Sequence, residues 1–444
     1  MDILSLFACF ELLLPKVAVR QLAIIAQAIL TLTGRISMLG ISRWTEKGGS
    51  YRTIQRFFST VLPWHEIFSK FFETHIFNPA HEYILAGDET VVSKSGKQTF
   101  GIDRFFSGLK GKVIKGLSFF VFSVVDVSER KSYPLAIAQT VKNELDKPAL
   151  KNRKKRQPKK PKARPGRPAG SRNRDKNELK LSPELLRINA MLVLLLKLMR
   201  GFIKVRYLAM DGYFGHSQAV LMAKENGLEL ISKLRKDAAI FEKHEGRQKA
   251  KGAKKKYGER LKYDILSPKY LKKSEREKEV ITNYYQGEFL HKEFGSELNV
   301  VIIVKLNLKT KKLGHAILFS SDVELSWEKL VDYYSLRFQI EFNFRDAKQH
   351  FGLEDFMNTT KIGVENAANL SFLMVNVSAK LLKTDKEKGV GINDLKTQFR
   401  GIKYAVLTLK KVLKKPEPIL MKQIVEEVSK LGSIYQTKTA ISTA

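Results

Sequence analysis

The chain has 444 residues, a formal net charge of +34 and one cysteine, Cys9. So large an excess of Lys and Arg indicates a polyanionic partner, and nucleic acid is the first expectation. One cysteine excludes a disulfide within the chain and a zinc site built on thiolates, and the absence of an uninterrupted apolar run of eighteen residues argues against a membrane span.

Residues 1–80 are predicted to be helical. The segments VAVRQLAIIAQAIL and SYRTIQRFFSTVLPWHEIFSKFFETHIF both repeat apolar residues at helical spacing. Arg43, Arg52 and Arg56 lie among aromatic residues in this region. Two interpretations stay open: a small module that binds DNA ends, with Ser50-Tyr51-Arg52 opening a recognition helix, or an ordinary helical cap on the main domain.

Three predicted strands follow. Residues 83–92, YILAGDETVV, have a buried-strand pattern that contains Asp88, and residues 115–127 and the segment SYPLAIAQTV give the second and third strands. Three strands in this order, with an acid on the first, are typical of the start of a ribonuclease-H-like sheet. Asp103 and Asp126 are rival acids, but Asp126 is predicted at a hairpin end, where Asp is a common turn residue with a structural role.

Residues 151–176 change composition abruptly. They hold thirteen Lys or Arg against a single acid, together with four prolines, so no core can form from them and a disordered or extended loop is predicted. The centre of the loop, with Arg164 and Arg167, resembles an AT-hook that lies in a narrow A·T-rich minor groove. The alternative is a polybasic tether without sequence preference.

A helix and a second acid-bearing strand come next. Ser182 is the predicted N-cap of a helix over residues 181–201, with proline at its first position. Residues 205–216 form a buried strand that ends in Asp211 and Gly212, and we expect Gly212 to let the chain turn sharply and leave the carboxylate open to a ligand. The segments SQAVLMAKENG and LELISKLRK then predict a helix and a short strand.

Residues 326–352 are predicted to form one long helix. Ser326 is a plausible N-cap and Gly352 a C-terminal stop. One stripe of this helix carries Tyr334, Arg337, Glu341, Arg345 and Lys348, and the other faces carry Phe338, Ile340, Phe342, Phe344 and Ala347, which are expected to be buried. The stripe fits either a solvated face with salt links between successive turns or an anion-binding face around a carboxylate that holds a metal.

The spacing of Tyr334, Arg337, Glu341 and Lys348 carries a further indication. Two, three and six residues separate these positions, and this spacing resembles the Tyr-Arg-Glu-Lys signature of DDE transposases of the insertion-sequence-four family in bacteria. The surrounding sequence, RFQIEFNFRDAKQHFGL, is also similar to that family. The resemblance spans roughly residues 80–355. It implies two catalytic Asp residues upstream, each at a strand end.

The resemblance assigns Asp88, Asp211 and Glu341 as a catalytic and metal-binding triad. It also implies that Arg337 and Lys348 bind phosphates beside the scissile bond and that Tyr334 donates a hydrogen bond to one of these phosphates. Two Mg²⁺ ions, which Mn²⁺ can replace, would be held roughly 3.5–4 Å apart, with Asp88 bridging them.

The implied function is cut-and-paste DNA transposition: metal-dependent cleavage at transposon ends, followed by strand transfer into target DNA. The expected partners are the inverted-repeat ends and the target DNA, and the chain is expected to bind them as a homodimer. The expected location is the cytoplasm, at the nucleoid, and no membrane partner is expected. Two alternatives remain at this point: a metal-dependent nuclease that cuts without joining, and a non-catalytic DNA-binding relic of a transposase.

The predicted fold class is α/β, with a ribonuclease-H-like core in which helices flank a mixed sheet. The predicted organisation is a helical DNA-binding region over 1–80, a catalytic core over 81–236 and 326–355 with a basic AT-hook-like loop at 150–177, a β-rich insertion over 237–325, and a helical C-terminal region over 356–444.

Overall fold

The computed structural model describes residues 2–45, 48–108, 110–142, 180–248, 250–384, 389–412 and 418–430. The predicted basic loop over 150–177, with Arg164 and Arg167, lies outside the described residues. Among the helices described, none has the length and apolar character needed to cross a membrane.

The helices within the described residues are α1 (Ile3–Phe7), α2 (Lys16–Thr31), α3 (Met38–Trp44), α4 (Tyr51–Ser59), α5 (Trp64–His75), α6 (Pro183–Met199), α7 (Ser217–Glu225), α8 (Trp327–Leu336), α9 (Gln339–His350), α10 (Lys361–Thr384), α11 (Ile392–Val412) and α12 (Pro418–Lys430). The strands are β1 (Tyr83–Ser93), β2 (Asp103–Ser107), β3 (Lys112–Asp126), β4 (Lys131–Thr140), β5 (Tyr207–Met210), β6 (Glu229–Leu234), β7 (Ile240–Lys243), β8 (Tyr257–Arg260), β9 (Leu271–Glu277), β10 (Val280–His291), β11 (Leu298–Asn307) and β12 (Leu313–Ser320).

Five strands form the centre of the fold in the order β4-β3-β1-β5-β6. Strand β3 is antiparallel to both β4 and β1, whereas β1, β5 and β6 run parallel to one another. Parallel neighbours require crossover connections. α7 lies between β5 and β6 along the chain, and α6 lies between β4 and β5, within the longer connection that leads from β1 to β5. This mixed sheet with flanking helices is ribonuclease-H-like and confirms the predicted fold class.

The central strands are apolar because both faces of the sheet are covered. In β3 every residue from position 116 to 126 is buried, and in β1 the first five residues are buried. A strand enclosed on both faces cannot alternate between apolar and polar side chains, which is why both segments are near-continuous apolar runs. Asp88, which is half-buried, interrupts the apolar run in β1.

The predicted β-rich insertion continues the same sheet. Strand β12 pairs antiparallel with β6, and β11 and β10 follow in order beyond it. Strand β9 pairs with β10, but each of its seven residues is exposed. The insertion therefore extends the central sheet at its β6 edge rather than forming a sheet of its own.

The N-terminal helices pack against helices from the C-terminal region. Asn366 on α10 is fully enclosed, and its side-chain amide donates to the main-chain oxygens of Phe58, at 2.9 Å, and Thr60, at 2.7 Å. Its carbonyl oxygen accepts a hydrogen bond of 2.7 Å from the indole nitrogen of Trp64. One side chain thus fixes the end of α4 and the start of α5 to α10, and residues of the N-terminal helices and of α10 belong to one hydrophobic core.

The predicted long helix over 326–352 is wrong in one respect, because the chain forms two helices, α8 and α9. Ser326 caps the start by accepting from the main-chain nitrogen of Lys329, as predicted. At residues 337–338 the turn tightens: the main-chain nitrogens of Ile340 and Glu341 bond to the carbonyl oxygens three residues earlier instead of four. Gly352 ends α9 in the left-handed region, at φ +81°.

Candidate active site

A cavity of about 1140 Å³ opens at the end of the central sheet where β1, β5 and α9 meet. Its walls include the three acids that the sequence singled out, Asp88, Asp211 and Glu341. These residues are separated by more than one hundred positions in the chain, and the fold gathers them on one surface. The roles assigned to them remain predictions, but their convergence is a structural fact.

Asp88 lies on the central strand with its side chain only 15% exposed. One carboxylate oxygen accepts from the main-chain nitrogen of Glu89 at 2.8 Å, and the other accepts from Arg337 Nη1 at 2.6 Å. Burial away from water raises the pKa of Asp88 to about 6, and the Arg337 charge opposes this rise. The negative charges of Asp211 and Glu341 add to it, which indicates that the three acids are close enough to interact.

Asp211 is placed beside Asp88 by the register of two parallel strands. Gly87 on β1 pairs with Met210, the last residue of β5. Asp88 is the next residue of β1, and Asp211 directly follows β5. Neighbouring strands lie about 4.8 Å apart. The Asp211 side chain accepts from the main-chain nitrogen of Tyr213 at 3.1 Å, which holds the carboxylate at the start of a single 3₁₀ turn.

The glycine that this turn requires is Gly215, rather than Gly212 as predicted. A Cβ atom on Gly212 would lie 3.4 Å from the Lys233 carbonyl oxygen, which is ordinary van der Waals contact. A Cβ atom on Gly215 would lie only 2.3 Å from the same oxygen. The turn therefore passes closest to β6 three residues later than expected, and Gly215 permits that close approach.

Glu341 reaches the cavity from the first turn of α9 and is exposed. A buried polar contact holds this helix on the sheet. The side-chain amide of Asn343 donates to Ser132 Oγ on β4 at 2.7 Å and to Ser123 Oγ on β3 at 3.2 Å. Ser132 Oγ in turn donates to the main-chain oxygen of Gln339 at 2.7 Å. These contacts fix the first turn of α9, and with it the main chain that carries Glu341.

The cationic residues of the predicted stripe also lie at the cavity. Arg337, Arg345 and Lys348 line it, and Lys348 Nζ donates to the main-chain oxygen of Val91 on β1 at 3.0 Å. Burial lowers the pKa of Lys348 from its ordinary value. Arg345 instead pairs with its neighbour Asp346 at 2.8 Å. The solvated-face interpretation of the stripe requires salt links between Glu341 and the two arginines, and these are absent among the ion pairs of the described residues.

Tyr334 on α8 is half-buried and is not among the residues that line the cavity. The Arg337 guanidinium lies 5.7 Å from the centre of the Tyr334 ring, and burial raises the pKa of Tyr334. Phe338 and Phe342 were expected to be buried, but they are 54% and 38% exposed. Phe338 follows directly on Arg337 in the tightened turn, and there its ring faces the cavity rather than the core.

Sequence reasoning missed several polar residues of the cavity. Glu89, Glu184, Arg187 and Lys142 line it together with the predicted residues. Glu89 could have been found, since it follows Asp88 directly on the same strand. Glu184 and Arg187 belong to α6, and no local pattern indicates that this helix packs beside the carboxylates.

A second group of possible metal ligands lies elsewhere in the described part of the chain. His81, Asp126 and Glu129 place one ligand atom each within 4.8 Å of one another. His81 Nδ1 lies 2.6 Å from Asp126, and His81 Nε2 is bonded to Asn78. Lys383 contacts Glu129 at 2.6 Å. These atoms therefore already have hydrogen-bond or ion-pair partners within the protein. Asp126 lies at the end of the β3–β4 hairpin, where the sequence predicted it.

The donor set at the cavity suits a hard divalent cation. Three carboxylates from separate elements supply oxygen ligands, and none of the cavity-lining residues in the described part of the chain is a histidine or cysteine. Carboxylate oxygen is the donor that Mg²⁺ and Mn²⁺ prefer. The raised pKa of Asp88 indicates an enclosed carboxylate whose negative charge a bound cation would offset.

Comparison with known families agrees with this chemistry. A family model described as "DDE superfamily endonuclease" matches residues 6–285, which is more than half of the chain. A second, described as "Archaeal putative transposase ISC1217", matches residues 187–388. Asp88 lies in the first match, Glu341 in the second and Asp211 in both. The search among curated proteins gave no significant match.

Proposed function

The chain belongs to the DDE superfamily of endonucleases, and from that premise we propose that it is a DNA transposase. It would cleave phosphodiester bonds at the ends of a mobile element and join the exposed 3′-hydroxyl groups to target DNA. One observation carries the proposal: Asp88, Asp211 and Glu341 come from three distant elements and line one cavity together with basic side chains.

The carboxylates of Asp88, Asp211 and Glu341 would hold the divalent cations, two Mg²⁺ or Mn²⁺. When bound, such a pair of cations lowers the pKa of the attacking hydroxyl and stabilises the negative charge on the leaving oxygen. The protein contributes the placement. Asp88 and Asp211 are fixed side by side by the strand register, and the Asn343 contacts hold the turn that carries Glu341.

Cleavage and joining are both displacements at phosphorus. In cleavage, water adds across the phosphodiester and leaves a 3′-hydroxyl and a 5′-phosphate. In joining, that 3′-hydroxyl attacks a phosphodiester of the target, and a new 3′-hydroxyl leaves. Arg337 and Lys348 would bind the phosphate oxygens beside the broken bond, and the Tyr334 hydroxyl would donate to one of them.

The remaining regions are assigned by charge and position. A formal net charge of +34 gives the chain many cations for phosphate contact. We propose that residues 1–80 bind the inverted-repeat ends, that the loop at 150–177 with Arg164 and Arg167 contacts the minor groove, and that residues 237–325 flank the bound end. The finer assignment to the insertion-sequence-four family and to a homodimer on DNA belongs to this proposal.

The test uses the purified chain and labelled duplexes that carry the inverted repeats found beside the gene. With Mg²⁺ we expect cleavage, and with a pre-cut end that bears a 3′-hydroxyl we expect transfer into plasmid DNA. Asp88→Asn, Asp211→Asn and Glu341→Gln should each abolish both reactions and leave DNA binding intact. Asp103→Asn is the matched control, because the Asp103 carboxylate accepts from the main-chain nitrogen of Arg104 and does not line the cavity.

The same experiment separates the alternatives. A chain that cuts duplex ends but never joins a pre-cut end is a nuclease. A chain that binds DNA and is unaffected by all three acid substitutions is a DNA-binding relic. Cleavage that survives Asp88→Asn contradicts the assignment of this residue to the metal site.

A further inference from the structure

Arg337 makes an unusual contact in the candidate active site. Its Nη1 atom lies 2.6 Å from Asp88 Oδ2, and both side chains are largely enclosed, at 13% and 15% exposure. Arg337 belongs to the tightened turn between α8 and α9 and lies four residues before Glu341. The guanidinium is therefore bonded to a carboxylate oxygen of Asp88 that would otherwise be available as a ligand for a cation.

The geometry of this pair is incomplete for a structural ion pair. Arginine holds a carboxylate most firmly through two parallel hydrogen bonds, and buried guanidinium nitrogens normally all have partners. Here one nitrogen contacts Asp88, and the buried Nε atom of Arg337 has no hydrogen-bond partner. An enclosed donor without a partner is unfavourable, so a position in which Nε is also hydrogen-bonded would be more stable for the guanidinium.

The surrounding charges explain why Arg337 stays there. Asp88 is shielded from water, and the negative charges of Asp211 and Glu341 act on it. A single positive charge against Asp88 offsets this repulsion. A divalent cation on the same oxygen would supply that compensation and would repel the guanidinium.

We propose that Arg337 is a placeholder for the metal: its guanidinium pairs with the Asp88 carboxylate in the metal-free protein and leaves that carboxylate when the cation binds. The released guanidinium then takes a phosphate of the DNA, which offers the two-oxygen contact that it lacks on Asp88. Metal and DNA binding are thereby coupled, since each ligand favours the released position, and the coupling is reciprocal. The phosphate contact rests on the proposed function, and the metal contact rests on the assignment of Asp88, Asp211 and Glu341 as metal ligands.

The test measures Mn²⁺ affinity of the full chain without DNA, by calorimetry and by the electron paramagnetic resonance signal of free Mn²⁺. Arg337→Gln keeps much of the side-chain length but removes the charge. It should bind Mn²⁺ about tenfold more tightly than the unaltered chain, because a charged hydrogen bond to Asp88 no longer competes. Arg345→Gln is the matched control: it removes the same charge from the cavity wall, but Arg345 pairs with Asp346.

The second measurement is DNA affinity with and without Mn²⁺. In the unaltered chain Mn²⁺ should strengthen binding of an inverted-repeat duplex, and in Arg337→Gln this gain should be largely lost. Should Arg337→Gln fail to fold, as circular dichroism would reveal, Arg337→Lys serves instead: it keeps the charge with one compact donor, and its Mn²⁺ affinity should stay within a few-fold of the unaltered value.

The results distinguish this inference from the proposed function. If Asp88→Asn leaves Mn²⁺ binding unchanged, the metal site is wrong and the placeholder role falls with it. If Mn²⁺ binds at Asp88, but Arg337→Gln binds it no more tightly than Arg345→Gln, the metal site stands and Arg337 is an ordinary ion-pair partner.

Discussion

Replacing Asp88 by Asn should stabilise the metal-free protein. Burial raises the pKa of Asp88 from 3.8 to about 6. At neutral pH the folded chain therefore bears the cost of an ionised carboxylate in an enclosed place. One pKa unit corresponds to about 1.4 kcal/mol, so this cost is at most about 3 kcal/mol. The side chain is only 15% exposed, which leaves little screening by water.

The sign of the pH dependence follows from counting protons. Between about pH 4 and pH 6 the folded chain keeps a proton on Asp88 that the unfolded chain has lost. Raising the pH through this window therefore destabilises the folded state. Asn resembles the protonated acid, so Asp88→Asn should raise the free energy of unfolding by about 1–3 kcal/mol near pH 7.5 and by little near pH 4.

The assay is urea unfolding in the presence of a chelator, at both pH values, with Asp103→Asn as a control that should change little at either. A decrease in stability at pH 7.5, or an equal gain at both pH values, would refute the reasoning. Excess Mn²⁺ should largely offset this difference: at one hundred times its dissociation constant it stabilises the unaltered chain by about 2.7 kcal/mol, and Asp88→Asn should gain far less.

Three further predictions concern the scaffold and DNA binding. Asn366→Leu should cost about 3 kcal/mol by urea unfolding, because the indole nitrogen of Trp64 and two main-chain oxygens lose their partner, and no loss would contradict the fixing role. Gly352→Ala should be more destabilising than Gly227→Ala: both have positive φ, but only the first places a Cβ atom 2.6 Å from Ile36. DNA affinity should fall steeply as salt rises from about 50 to 200 mM, as titration of a labelled duplex would measure, and a flat response would argue against extensive phosphate contact.

Local signals predicted the elements that carry the acids. The apolar run over 83–92 predicts β1, since a strand enclosed on both faces leaves that pattern in any sequence. Asp88 was expected at a strand end, but β1 runs on to Ser93, so the acid lies in the middle of the strand. Ser182 and Ser326 mark helix starts because each side chain accepts from a main-chain nitrogen three residues later. The convergence of Asp88, Asp211 and Glu341 followed from a family resemblance, as spacing along the chain alone does not determine it.

Features set by tertiary packing could not be predicted. The break between α8 and α9 falls at residues with helical dihedral angles and no proline or glycine, so no residue type signals it. Its consequence, the exposure of Phe338, was missed for the same reason. Glu184 reaches the cavity because α6 packs beside it, and a helical pattern reveals an apolar face without revealing which partner covers it.

The three acids differ in how the fold holds them, and this difference matters for the proposed chemistry. Asp88 and Asp211 are fixed by the main-chain ladder between β1 and β5, so their spacing changes only if the sheet opens. Glu341 is held through side-chain hydrogen bonds from Asn343, and Glu341 itself is exposed at the cavity. Arg337 lies in the tightened turn just before it. A movement of that turn would therefore adjust the third acid and release Arg337 together, while the pair on the strands stays in place.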